Sequence, residues 1–342
     1  MTGSPVRDPG PPAHQMLAVV NSTALADVIS LSEAIDSVTL AMRELSSGLV
    51  VAPERNGIAV SAHGKMVLMP GTMSHIQRFG VKTLSLLTTA SQWGLPSHQG
   101  LMLLFDSLSG RPLCAIDSHA LTAVRTAAAT AVATRALARP DARSLAIVGT
   151  GSLARPHIEA MLKVRPIQSI RVWNRTADKA RSFVKEIAAR FAAAVEAVGT
   201  VQEAVQGADI ICTLTASAAP VLEGKWLTAG QHLNLVGAST RASREVDDEA
   251  VARGYYIVDC RAHALEQAGE LRHAMELGYV QEKHIAGEIG EVLNGTKQGR
   301  SDASMITIYK SLGHVAQDIR VADAVFARLD RSKKVVWVPW PA

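Results

Sequence analysis

The chain is expected to be an α/β protein, with a doubly wound parallel-sheet domain and a discontinuous α+β domain. Three observations carry this. After Asp117, apolar strand-like runs alternate with amphipathic stretches, the pattern of a parallel sheet covered on both faces. Before Asp117, short apolar runs separated by Gly and Pro read as strands of another sheet. A late helical segment, from about Ser304, reads as a return to the N-terminal domain.

A length of 342 residues suits about two domains. Hydrophobic residues make up 48% and charged residues 19%, which excludes a disordered chain. The net charge of +4 comes with no Lys/Arg-rich stripe, so a nucleic-acid partner is not expected. No stretch reaches the roughly 18 consecutive apolar residues of a membrane span. Cys114, Cys212 and Cys260 lie far apart in or beside apolar runs and read as reduced thiols of a cytoplasmic protein.

Residues 1–16 read as a loose tail. LSEAIDSVTLAMRELSSG (31–48) has helical apolar spacing, with Ser32 and Gly48 at positions that suit caps. GIAVSA, KMVLMPG, VKTLSLL, LMLLFD and PLCAID read as strands. SHALTAVRTAAATAVATRALARPDA is one long helix that stops before Pro140. SLAIVG leads into a helix at 152–164, SIRVWN into one at 176–190, and VEAV into a short one near 200–206. DIICTLT, HLNLVGAS and YYIVDC continue the series of strands. MITIYKSLGHVAQDIRVADAVFARL reads as a helix, and RSKKVVWVPWPA as an edge strand with two packing tryptophans. The domains expected are 17–124 with 304–342, and 125–303.

Gly149-Thr150-Gly151-Ser152-Leu153-Ala154 gives G-x-G-x-x-A between an apolar strand and a helix. The first glycine permits the tight turn, the second lets a pyrophosphate approach the backbone, and the third small residue packs helix on strand. The domain is therefore expected to be a Rossmann-type dinucleotide-binding domain. Its second strand ends in Asn174-Arg175-Thr176, where NAD enzymes usually carry a carboxylate for the ribose hydroxyl. An arginine there can hold a 2′-phosphate, so NADP(H) is favoured and NAD(H) is possible.

RTAAATAVATRALARPDARSLAIVGTGSLA, IRVWNRT, HLNLVGAS, GEIGEVLNG and YKSLGHVAQD, in this order, resemble the ornithine cyclodeaminase/mu-crystallin family over about residues 17–328. The likeness is greatest to its mu-crystallin (ketimine reductase) form. The resemblance implies a homodimer whose N-terminal domain provides the substrate-binding and dimerisation surfaces. It also implies hydride transfer at an imine carbon next to a carboxylate.

By the same resemblance, Arg55, Lys82 and Arg125 match positions around the substrate, with Lys82 as proton donor or electrostatic partner. Arg125 would cluster cations near a positive helix end, which needs an anion; a salt bridge to Asp117 is its bland alternative. Ser97 and His98 match positions near the nicotinamide end, and Lys310, Ser311 and Gly313 belong to a segment that closes over that ring. Val236 and Gly237 match the strand end that lines it, and Thr213 and Thr215 are further dinucleotide contacts. Glu288 and Glu291 read as structural.

Ser239 stands where cyclodeaminases carry an aspartate that serves as acid/base, and a hydroxyl cannot do that at neutral pH. The leading expectation is thus an NADPH-dependent imine reductase that yields an L-amino acid from Δ1-pyrroline-2-carboxylate, Δ1-piperideine-2-carboxylate or a linear imino acid. An alanine-dehydrogenase-like enzyme, an ornithine cyclodeaminase and an NADPH-dependent binder of iodothyronine-type ligands are the alternatives. The eleven histidines show no H-E-x-x-H spacing, and no metal is expected.

Overall fold

The computed structural model describes residues 16–53, 55–329 and 334–340; the expected N-terminal tail lies outside them, apart from Met16, which already belongs to a strand. The strands of the first half are β1 (Met16–Val20), β2 (Asn56–Ser61), β3 (Gly64–Met73), β4 (Arg78–Leu87), β5 (His98–Asp106) and β6 (Pro112–Asp117). They continue with β7 (Ser144–Val148), β8 (Ser169–Trp173), β9 (Ala194–Ala197), β10 (Ile210–Thr213) and β11 (His232–Leu235). The last are β12 (Tyr255–Val258), β13 (Ile285–Glu288), β14 (Thr307–Lys310) and β15 (Val336–Pro339). Between them run α1 (Ser22–Val28), α2 (Leu31–Ser46), α3 (Ser118–Leu137), α4 (Ala154–Val164), α5 (Ala177–Ile187) and α6 (Val201–Val205). The remaining helices are α7 (Asp248–Arg253), α8 (Arg261–Gln267), α9 (Gly269–Glu276), α10 (Ile289–Leu293) and α11 (Val315–Phe326).

Two sheets result. The first has the order β15-β1-β6-β5-β4-β3-β2 and is antiparallel except where β1 runs parallel to β6. The second has the order β13-β12-β14-β11-β10-β7-β8-β9 and is parallel throughout. Its order reverses beside β7, the switch point at which doubly wound sheets open a crevice for ligands.

The alanine-rich helix α3 joins the sheets. Ala127 to Thr134 are all buried, because α3 is covered on several sides by α2, α4 and both sheets. Small side chains allow that close approach. Thr130 reaches His157 of α4 at 3.1 Å, and Thr134 accepts from Asn234 of β11 at 3.0 Å. Helices α3 and α11 cover one face of the first sheet, with α2 packed on both.

Two readings are corrected. The cap of α2 is Ser30 rather than Ser32: its hydroxyl accepts from Glu33 N while the Glu33 carboxylate accepts from Ser30 N, a reciprocal box. Gly48 does take the left-handed conformation just beyond the helix end (φ 73°). The segment expected as a helix from Ser304 begins instead with β14, an interior strand between β11 and β12, and the helix starts only at Val315. The chain therefore leaves the parallel sheet after Lys310. The edge strand β15 pairs with β1; Trp337 packs against the core while Trp340 is exposed.

Candidate active site

Helix α4 starts directly after the glycine turn. Gly149 has φ 109°, and a Cβ there would lie 2.9 Å from the Leu214 carbonyl, so only glycine fits. A Cβ on Gly151 would meet nothing within 4 Å, so space is open above its backbone. The α4 N-terminus has no side-chain cap and no acidic residue in its first turn. Ala154 is fully buried against the strand. An uncapped helix end beside open space fits a pyrophosphate.

Asn174 donates to the Thr150 hydroxyl at 2.7 Å and accepts from Thr176 N, which ties the second strand end to the glycine turn. Arg175 is exposed beside them. The residues thus fit a nicotinamide dinucleotide.

Sequence reasoning missed Glu245, fully buried, which organises the neighbouring strand ends. One of its oxygens accepts from Thr215 N and Oγ1 (2.6 and 2.9 Å), the other from Gly237 N and Ala238 N (2.7 and 3.1 Å). Thr215 is thus held by a carboxylate. A Cβ on Gly237 would lie 2.1 Å from the Thr215 carbonyl. Val236 and Thr213 are buried at these ends, and Ser239 is half-buried in the loop that follows. Lys310 is fully buried, pairs with Glu270 and donates to the Ala238 carbonyl, both at 2.5 Å. It fixes residue 238 rather than offering its charge outward. Ser311 is buried beside it.

From β14 the chain runs straight into a charged cluster. Asp318, in the first turn of α11, is fully buried and accepts from Lys82 Nζ through both oxygens (2.9 and 2.8 Å) and from Arg125 Nε at 3.1 Å. Arg125 Nη1 also donates to Gln317 at 3.1 Å. Asp117, the alternative partner for Arg125, caps α3 instead by accepting from His119 N and Ala120 N. Arg55 donates through Nη2 to the carbonyls of Leu312 and Gly313. Its Nε is buried with no partner among the described residues.

Asp259, at the end of β12, accepts from Leu312 N (2.7 Å) and Gly313 N (2.5 Å) and so fixes this turn. Gly313 has φ 78°, and a Cβ on it would lie 2.5 Å from Arg125 Nη1. Burial, with Arg125 beside it, pushes the Lys82 ammonium down to about 7 against the pull of Asp318. Burial alone would raise the Asp318 carboxyl, but Lys82 and Arg125 hold it below the usual range.

The three basic residues expected at the substrate therefore come together. While Lys82 is protonated, they leave one net positive charge after Asp318 and Asp259 are counted, in a largely buried setting, the complement of one carboxylate. Asp318 was legible in hindsight: in GHVAQDIRVA an aspartate shares a helix with Val315, Ala316, Ile319 and Ala322, all buried.

Ser97 and His98 hydrogen-bond each other at 2.9 Å at the exposed start of β5. Glu288 accepts from Ser46 and Arg261 N, and Glu291 from Glu288 N, which are structural roles.

Three comparisons bear on this arrangement. The profile of the "Ornithine cyclodeaminase/mu-crystallin family" matches residues 14–333. "Ketimine reductase mu-crystallin" of Mus musculus is 35% identical over 280 residues, 82% of this chain and 85% of that protein. The Δ1-pyrroline-2-carboxylate reductase of Thermococcus litoralis, solved with NADH and L-proline, is 32% identical with a TM-score of 0.88, covering 91% of this chain and 97% of that one. An archaeal alanine dehydrogenase dimer with bound NAD is 27% identical with a TM-score of 0.86, covering 92% and 96%.

Proposed function

The chain belongs to the ornithine cyclodeaminase/mu-crystallin family, and from that premise we propose that it is an NADPH-dependent imine reductase. Its substrates are cyclic or linear imino acids such as Δ1-pyrroline-2-carboxylate or Δ1-piperideine-2-carboxylate, and its products L-amino acids. The observation that carries this reading is the cluster of buried Lys82 and Arg125 with half-buried Arg55, which is one positive charge in excess of Asp318 and Asp259 while Lys82 is protonated. A nicotinamide dinucleotide supplies the hydride when bound.

The chain's own residues do the rest. Backbone N–H groups of the glycine turn and the α4 N-terminus hold the phosphates, and Arg175 holds a 2′-phosphate. The guanidinium groups of Arg55 and Arg125 grip the substrate carboxylate and so orient the adjacent C=N carbon. Lys82 Nζ, with a pKa near 7, keeps a proton within reach of the imine nitrogen, whose protonated form accepts hydride better. Ser97 and His98 border the nicotinamide end. The hydroxyl of Ser239 cannot drive the amine attack and ammonia loss of a cyclodeamination, which favours plain reduction. The protein works as a homodimer in the cytoplasm, a reducing compartment that suits its three free cysteines. Among the described residues, no helix is long and apolar enough to cross a membrane.

The test is oxidation of NADPH and NADH with a panel of cyclic and linear imino acids, using the wild type and Arg55→Ala. We expect turnover in the wild type, and in the variant a fall in kcat/KM of at least about 100-fold with dinucleotide affinity kept. No turnover with any imine would remove the reading. Loss of dinucleotide binding in Arg55→Ala would mean that the cluster serves the cofactor instead.

A further inference from the structure

Beside the charged cluster, three metal-ligating side chains meet that the reduction does not use. Cys260 precedes α8, His263 lies one turn into it, and His314 precedes α11. The Cys260 sulfur and one ring nitrogen from each histidine all lie within 4.8 Å of one another. The two imidazoles are stacked with centroids 5.1 Å apart. Both histidines are buried and Cys260 is half-buried, so the group has one side toward solvent. Histidine spacing along the chain conceals it, because His314 comes from a different element.

We propose that Cys260, His263 and His314 form a binding site for a thiophilic divalent cation of the zinc type. Zn–S and Zn–N bonds of about 2.3 and 2.0–2.1 Å close from these separations once the stacked imidazoles tilt so that their in-plane lone pairs converge, and three protein ligands leave a fourth position open. On binding, the Cys260 sulfur releases its proton to solvent and each imidazole donates a ring lone pair; no electron is transferred. The carboxylates of Asp259 and Glu288 beside Cys260 and of Asp318 beside His314 add negative potential, although Arg55 and Arg125 oppose it.

Occupancy bears on the neighbouring site through His314. Its Nδ1 accepts from Ala316 N at 3.1 Å and so caps the helix that carries Gln317 and Asp318. Coordination of that ring competes with the cap, and the residues just before it are those that Arg55 grips. The cation therefore acts as an inhibitor, a consequence that rests on the imine-reductase reading; the binding itself does not.

Titration of the full-length protein with Co2+ as spectroscopic probe tests the site. We expect a thiolate-to-cobalt charge-transfer band that saturates at one equivalent and is displaced by Zn2+. Cys260→Ser, nearly isosteric at the N-cap position of α8, and His263→Gln should each weaken binding at least about tenfold, with circular dichroism confirming that both variants are folded. Absence of the band, or a band unchanged in both folded variants, overturns the site. In the imine assay Zn2+ should slow the wild type and spare Cys260→Ser; equal inhibition of both overturns the link to the active site. A protein that shows the cobalt band but turns over no imine refutes the reductase reading and leaves the metal site standing.

Discussion

Lys82 is held between opposing influences. Burial and Arg125 disfavour its charge, Asp318 favours it, and the outcome is a pKa pushed down to about 7. Only the protonated form can steady an anion or give up a proton. Thus kcat/KM for reduction should fall as pH rises through about 7, and Lys82→Arg, charged throughout, should flatten that fall. A pH profile identical in both proteins would take Lys82 out of the titration. For stability the sign is opposite: the folded chain binds this proton less tightly than the unfolded chain, so the residue is destabilising below about 7, and the penalty fades as pH climbs toward the ordinary lysine value. A second residue, Arg175, is exposed beside the Asn174–Thr150 contact. Arg175→Ala should raise the KM for NADPH at least about tenfold and leave that for NADH nearly unchanged; equal effects would cancel the preference for the phosphorylated cofactor. Lys82 was legible in the sequence because a lysine flanked by apolar residues in a strand is costly to bury idle, and Arg175 because no carboxylate stands at its strand end; Arg55 and Arg125 were marked through the family resemblance. Asp318 could be marked as a buried carboxylate from its helix pattern, but its pairing with Lys82 and Arg125, and the place of Asp259 beside Arg55, come from distant segments that only the fold brings together.

Turns and strand ends decide where those side chains point. The turn at 311–313 is pinned by Asp259 and passes beneath the Arg125 guanidinium at Gly313. Gly313→Ala should therefore strain a left-handed residue and displace Arg125, raising the KM for the imino acid more than about tenfold while dinucleotide affinity stays. Fluorescence titration with NADPH beside steady-state kinetics separates the two effects, and a substrate KM unaffected by the change would mean that this turn does not position Arg125. Most elements could be read from pattern alone, since the strand–helix alternation after Asp117 and the apolar runs before it are both strong signals. Strand β14 escaped because TIYK is buried on both faces, shows no alternation, and runs into a helical pattern after a short turn.

Among the described residues, the first sheet leaves an apolar face uncovered. In the first sheet Met69, Lys82 and Met102 point toward the helices, while Leu68, Val81, Leu101 and Leu103 lie on the opposite side, none of them buried, and Phe79 stacks on Phe105 at 4.9 Å. This explains why KMVLMPG and LMLLFD read as continuous rather than alternating apolar runs: both faces are built for burial. We expect that face to be the homodimer contact, so Leu101→Glu, at a residue 44% exposed in the single chain, should yield a folded monomer in sedimentation analysis. A wild type that sediments as a monomer would dismiss the dimer. A last consequence concerns descent. Twelve consecutive residues, 307–318, carry a strand of one sheet, the pinned turn, a helix cap and the carboxylate that neutralises Lys82 of the other sheet. The two lobes cannot be shuffled between lineages as independent cassettes, because a foreign partner would arrive without the tail that balances it.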